Sequence, residues 1–324
     1  MTPTGSLVDH LTVPTDTAGA KRMLAFARRL APDRRVWAIE GTGCYGAGLT
    51  TSLLEQGEWV VEIDRPRRPA RKNGAKSDEL DAVRAAREAL SREHLAQPRR
   101  RGSREALRVL LATREAAVRA RTRSVSALHA FVVNAPEDLR DRLRHLGGHA
   151  LVVRCARLRS GPDRSVEHRA TITALRSTAR RVLACEAEAA DLEAALGVIV
   201  RQERPELLAE AGVGVITAAA ILNAWSHAGR IHSEAAFAML AGVAPIEASS
   251  GQTVRHRLNR SGDRQLNRAL HIIVLSRLTH DAETRAYAKR RTREGKTPRE
   301  IKRCLKRHLS RRLFRLLEAS ARAA

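Results

Sequence analysis

The sequence predicts an α/β domain, then long helices, then a mostly helical second domain. Three patterns predict it. Strand-like and helix-like runs alternate over residues 10–64, as a parallel sheet with packed helices requires. Apolar residues recur every seven positions in two later stretches. From Pro205 onward, short helical runs are separated by glycine- and proline-bearing turns. The length, 324 residues, suits two domains at about 150 residues each.

The elements follow in order. LTV (11–13) reads as a short strand. AGAKRMLAFARRL (18–30) sets Met23, Phe26, Ala27 and Leu30 at helical spacing. RVWAIE (35–40) is a buried strand run, GTGCYG a turn, and AGLTTSLLEQG a helix stopped at Gly57. EWVVEID (58–64) is a second strand. RPRRPARKNGAK (65–76) has six basic residues, no acid, two prolines and Gly74, and reads as a loop. SDELDAVRAAREAL (77–90) is a helix with Ser77 as its N-cap.

Leu111, Val118, Val125 and Val132 mark heptads between Ser103 and Val133, and Leu175, Val182, Ala189 and Leu196 mark them over 165–203. Two such helices predict a coiled-coil arm, with Arg114 and Arg121 interrupting the first seam. Two core helices of a bundle are the alternative. Gly147, Gly148, Gly161 and Pro162 make 134–164 read as irregular. PELLAEAGVGVITAAAILNAW (205–225) has a helix-hairpin-helix-like form, followed by a helix over 233–242, the loop APIEASSGQTVRHRLNRSG, and a helix over 263–278. A last helix (298–318) aligns Ile301, Leu305, Leu309, Leu313 and Leu316. The predicted divisions are 1–97, 98–203 and 204–324.

Composition bounds the function. Lys and Arg number 59 against 35 Asp and Glu, a formal net charge of +24. Such a charge speaks for a polyanionic partner and says nothing of fold. Four Phe, three Trp and two Tyr leave little for base stacking, so recognition led by the phosphate backbone, as of double-stranded DNA, fits better than single-strand reading. Apolar runs fall short of a membrane span of about 18 residues. MTPTGSLVDH lacks the look of a signal peptide, and the four cysteines show no disulfide or zinc spacing. A cytoplasmic protein is expected.

Four constellations could carry chemistry. Gly41, Gly43 and Gly46 match G-x-G-x-x-G after a strand, a dinucleotide fingerprint by context, but Glu40 stands where it would repel a pyrophosphate. Without a nucleotide, Glu40 is a carboxylate at the C-terminal end of a parallel strand, where open α/β sheets place active sites. Asp78 and Asp81 share a face in the first turn of the next helix. Acids there also simply complement the helix dipole. With Glu40 they would make a three-carboxylate Mg²⁺ site.

Ser250, beside Gly251, is followed by Arg255, Arg257, Arg260, Arg264 and Arg268, guanidiniums able to neutralise a phosphodiester under attack. A plain loop is the ordinary explanation. Gly212 and Gly214 could offer backbone N–H groups to a phosphate, or serve only as a turn between packed helices. Arg67, Arg68, Arg71 and Lys72 add a basic loop beside the acids. Residues 245–324 carry 21 basic and 7 acidic side chains, net +14.

Taken together, the stretch from WAIEGTGCYG to KSDELDAVRAARE resembles the amino-terminal domain of the DEDD transposases of the IS110 insertion-sequence family. PELLAEAGVGVITAAAILNAW through IEASSGQTVRHRLNRSGDRQLNRALH resembles their carboxy-terminal domain. The resemblance implies an RNase H/RuvC-like mixed sheet domain, a coiled-coil linker and a helical second domain. It implies an Mg²⁺-binding acidic tetrad whose last three members match Glu40, Asp78 and Asp81, and a serine nucleophile matching Ser250, with Ser249 as the alternative. It further implies guidance by a structured RNA and a homo-oligomer, dimer or tetramer. The family's first aspartate would lie on a strand preceding the stretch that MTPTGSLVDHLTVPT resembles, so an amino-terminally short chain is expected. A RuvC-type nuclease, a non-catalytic nucleic-acid-binding remnant and a dinucleotide-dependent oxidoreductase are the rival readings.

Overall fold

The computed structural model describes residues 1–43, 45–63, 77–249, 251 and 256–323. The chain is mostly helical and forms two compact units, Met1–Arg100 with Trp225–Ser233, and Arg101–Ala224 with Glu234–Ala324.

The first unit is built on a βαβ element: β1 (Val36–Glu40), α2 (Ala47–Glu55) and β2 (Trp59–Ile63), preceded by α1 (Thr17–Leu30). The two strands are parallel, with Ile39 opposite Glu62 and Glu40 opposite Ile63. α1 and α2 cover one face through Leu24, Leu53 and Val60, joined by Trp37, Ile39 and Leu49. α3 (Asp78–Ser91) covers the other, where Ala85 packs on Val61 and Ile63 beside Ala38 and Ala89. β2 gains a further neighbour at Ala96, whose carbonyl accepts the Glu62 N–H at 2.7 Å.

Leu11–Val13, expected as a strand, has no ladder partner among the described residues, and Leu11 is exposed. The run is ended by Pro14, and the next residues serve α1. Asp16 caps that helix through the Gly19 N–H at 2.6 Å, and a Cβ on Gly19 would fall on the Pro14 carbonyl. Within α1, Leu24 is buried whereas Leu30 is exposed, so the buried face is rotated from the one the spacing suggested.

The start of β2 is fixed by a buried acid. Glu58 accepts hydrogen bonds from Arg35 at 2.7 and 3.0 Å and from Trp37 Nε1 at 2.9 Å. Those bonds, Arg35's foremost, hold its pKa down to about 2 against the opposing effect of burial.

In the second unit α4 (Ser103–Val133) and α7 (Val166–Glu203) lie side by side. Arg114 meets Glu193 at 2.8 Å and Arg121 meets Glu186 at 2.7 Å, so the helices run antiparallel. Arg114 and Arg121 interrupt the heptads because each reaches across to an acid. The stretch expected to be irregular instead forms α5 (Glu137–Leu143) and α6 (Gly148–Ala156). Leu139, Leu143, Leu151 and Cys155 close a core over Leu128, Val132, Ile172 and Leu175. Gly148, at φ 54°, makes the turn between the short helices.

The rest of this unit comprises α8 (Glu206–Ala209), α9 (Val215–Trp225, its last residue lying in the first unit), α10 (Glu234–Leu240), α11 (Arg264–His280), α12 (Ala282–Arg293) and α13 (Pro298–Ala323). α13 buries Ile301, Leu309, Leu313 and Leu317, and its Phe314 ring lies 5.6 Å from that of Phe237. β3 (Ile246–Glu247) and β4 (His256–Arg257) pair antiparallel inside what the sequence suggested was only a loop. Among the described residues no helix is long and apolar enough to cross a membrane.

Candidate nucleic-acid-processing site

In the first unit the strand register decides where Glu40 points. It alternates with Ala38 and pairs with Ile63, both on the face covered by α3. On α3 the stripe continuing from buried Ala85 and half-buried Ala89 toward the helix start runs through Asp81 and Asp78. Ser77 caps this helix by accepting the Leu80 N–H at 3.2 Å. Asp78 and Asp81 therefore lie on the same side of the sheet as Glu40, the last residue of β1. Glu40 and Asp78 are exposed, and Asp81 is half-buried and paired with Arg84 at 2.9 Å.

These are hard oxygen donors of the kind Mg²⁺ takes. They do not form a ready-made cage: among the described residues no group of three or more His, Cys, Asp or Glu could hold a metal ion. The donor chemistry and the shared face fit a divalent cation, and convergence does not. Arg67, Arg68, Arg71 and Lys72, in the basic loop beside these acids, lie outside the described residues.

Gly41 and Gly46 serve backbone geometry. Gly41 sits at φ 70°, and a Cβ on Gly46 would lie 2.9 Å from Ile39 Cγ2. The Gly46 N–H closes the turn onto the Gly41 carbonyl at 3.1 Å. Gly41 and Gly46 thus serve the strand-to-helix turn, while Gly43 faces open space.

In the second unit Gly212 and Gly214 join α8 to α9. Gly212 adopts φ 75°, and a Cβ there would come 3.1 Å from the Ile273 carbonyl on α11. The Gly214 N–H donates to Thr217 Oγ1 at 3.0 Å, and the Val213 N–H to the Glu210 carbonyl. Two of the amides that a phosphate would need are thus engaged within the turn. Glu210 anchors it further, accepting from Arg277 at 3.0 Å and Arg312 at 3.0 Å.

Ser250 and Arg255 fall in the connection between β3 and β4, outside the described residues. The base of that hairpin is well held. Asn259 is buried, its amide donates to the Met239 carbonyl, and its Oδ1 accepts from Ser261 N at 3.0 Å and Oγ at 2.6 Å. The Asp263 N–H bonds the Leu240 carbonyl at 2.6 Å, while its carboxylate caps α11. Gly262, at φ 107°, lies so close to the end of α10 that a Cβ would sit 2.5 Å from that same carbonyl. Arg257, Arg260, Arg264 and Arg268 are all exposed, and Arg268 lies 3.8 Å from Glu115.

Below the hairpin lies a cleft of about 610 Å³, walled by β4 on one side and α13 on the other. Arg291, Lys296, Arg303, Lys306 and Arg307 line it together with Arg257. Apart from Arg257, these cations were not singled out from the sequence. The signal was available: Lys302, Arg303, Lys306 and Arg307 recur at helical spacing opposite the apolar stripe of α13.

Known proteins resemble both units. Residues 206–289 match the model described as a transposase of the IS116/IS110/IS902 family. Residues 1–135 match a second transposase model, the DEDD type of IS110. An uncharacterized 43.6 kDa protein of insertion element IS110 from Streptomyces coelicolor is 35% identical over 94 residues, covering 29% of this chain and 23% of that protein. The chain thus matches less than a quarter of that relative's length.

Proposed function

We infer that this chain, which belongs to the IS116/IS110/IS902 family of transposases, breaks and rejoins strands of double-stranded DNA in the cytoplasm as the recombinase of an insertion sequence. The observation that carries this reading is that the two matched segments contain, one each, the acidic face of α3 with Glu40 and the Ser250 hairpin.

In the proposed reaction Ser250 Oγ attacks a DNA phosphorus, its proton passing to solvent. A serine–phosphate bond forms and the bond to one deoxyribose oxygen breaks, that oxygen leaving with a proton. Attack by the hydroxyl of a second strand reverses the step and releases the serine, so strands are exchanged without net hydrolysis. Arg257, Arg260, Arg264 and Arg268 offset the phosphate charge around the hairpin.

Glu40, Asp78 and Asp81 are the residues proposed to hold Mg²⁺. Bound there, the ion would polarise a phosphoryl oxygen. Their common face of the sheet supports this assignment. Guidance by a structured RNA and assembly into a homo-oligomer complete the proposal, on the strength of family membership.

The test is Ser250→Ala in the full chain. The variant is expected to bind duplex DNA with wild-type affinity while forming neither a covalent protein–DNA adduct nor a joined product. Full strand cleavage by it would replace the serine mechanism with water-driven nuclease chemistry. Ser249→Ala, run in parallel, is expected to retain the adduct.

A further inference from the structure

The cleft between β4 and α13 gathers more positive charge than the protein around it neutralises. Among the described residues one carboxylate lines it, Glu300, whose Oε2 accepts from the Thr297 N–H and hydroxyl at 2.8 Å and whose single charge faces Lys296 and Arg303. Arg291 turns to Glu294. Lys306 is the decisive residue. It is half-buried, its Nζ donates to the neutral amide oxygen of Asn267 at 3.1 Å, and no carboxylate pairs with it among the described residues.

Burial lowers the Lys306 pKa, and Arg303 pushes it the same way. Arg307 beside it is lowered too, by burial and then by Arg311, with Glu234 opposing. Buried or half-buried cations are ordinarily paired, because removing an ammonium from water is costly. Here the fold holds several side by side. Asn267 is itself fixed, its amide donating to the Ala241 carbonyl at 2.7 Å, so the ammonium is aimed and not wandering.

An anion in the cleft would relieve this arrangement. β4, the first described element after Ser250 in the sequence, lines the cleft through His256 and Arg257, and the anion that a DNA recombinase meets is a backbone phosphate. We propose that this cleft is a phosphodiester-binding subsite, and that Lys306 is the positioning residue that holds a nucleic-acid backbone running past the Ser250 hairpin. The ligand class rests on the reading of the chain as a DNA recombinase; the unbalanced charge does not.

Lys306→Met in the full chain tests it. Affinity is measured across a salt series for duplex DNA, the same sequence as single-stranded DNA, and an RNA duplex, alongside the melting temperature. Duplex DNA binding is expected to weaken about tenfold. The slope of log affinity against log salt is expected to flatten by about one. The melting temperature stays level or rises, because an unpaired desolvated cation has been removed. Lys306→Arg restores binding.

A loss confined to one probe identifies the strand type held there. Unchanged affinity and slope for all three probes overturn the subsite. So does a fall in melting temperature that Lys306→Arg fails to repair, which marks a merely structural lysine. Wild-type binding without strand joining would sink the recombinase reading and leave the subsite standing. Strand joining with Lys306→Met binding unchanged does the reverse.

Discussion

His227 shows how one buried side chain sets a response to pH. Burial foremost, then Arg100 and Arg230, lowers its pKa to about 4. A neutral ring suits its neighbours: Nε2–H donates to Gln97 Oε1 at 3.1 Å, and Nδ1 accepts from Ser226 Oγ, which itself accepts the Arg100 N–H. The unfolded chain takes up this proton near 6.5, the folded chain only near 4. Stability is therefore full above pH 6.5 and falls as pH drops through that window, by up to about 3 kcal/mol. His227→Gln is expected to flatten the pH profile of urea unfolding for the first unit between pH 4 and 6.5. An unaltered slope there would refute the assignment. Glu58 adds a lower limb. Its depressed pKa gives stability that is complete above 4.5 and lost as pH falls through about 2. That limb survives in the His227 variant.

The α4–α7 pair shows how far heptads can be trusted at the scale of an element. Leu111, Val132, Leu175, Val182 and Leu196 are buried as their spacing suggests, while Val118, Val125 and Ala189 are only half-buried. Ala117, Ser124 and Leu128 take the interior positions instead. An α-helix drifts from a seven-residue repeat by about 20° per heptad, so a seam read from a strict repeat wanders off the contact face. Leu128 is fully buried where α5, α6 and α7 converge. Leu128→Ala should cost about 3 kcal/mol in chemical unfolding. A double-mutant cycle on Arg121, which is exposed, and Glu186, which is half-buried, should give no more than about 1 kcal/mol. Equal losses would mean that the cross-helix ion pairs, and not the apolar seam, hold the pair together. α12 escaped notice in the sequence for a related reason. It has almost no apolar face, buries Thr284, and is defined by its Asp281 cap and its stop at Gly295.

Across the whole molecule, the net charge of +24 predicts a steep dependence of nucleic-acid binding on salt. With six to ten phosphate contacts, duplex affinity should drop by about 10³ to 10⁵ between roughly 50 and 200 mM salt. A slope near zero in a filter-binding or fluorescence titration would show that the surplus charge meets something other than a phosphate backbone. By itself the sequence determined the parallel βαβ element, the cap at Ser77, the two long helices, the stripe on α13 and the family. Each is written in local spacing or in a motif. Only the tertiary structure decided that Leu11–Val13 is no strand, since a strand exists only beside a partner. It alone put Glu40 on the α3 side of the sheet without drawing it, Asp78 and Asp81 into a closed cluster. It also decided that the Gly214 amide turns inward to Thr217, and that Lys306 stands half-buried in the cleft between β4 and α13, bonded to an amide oxygen and paired with no carboxylate among the described residues. Contact, burial and charge balance arise between residues far apart in the chain, and no spacing along it encodes them.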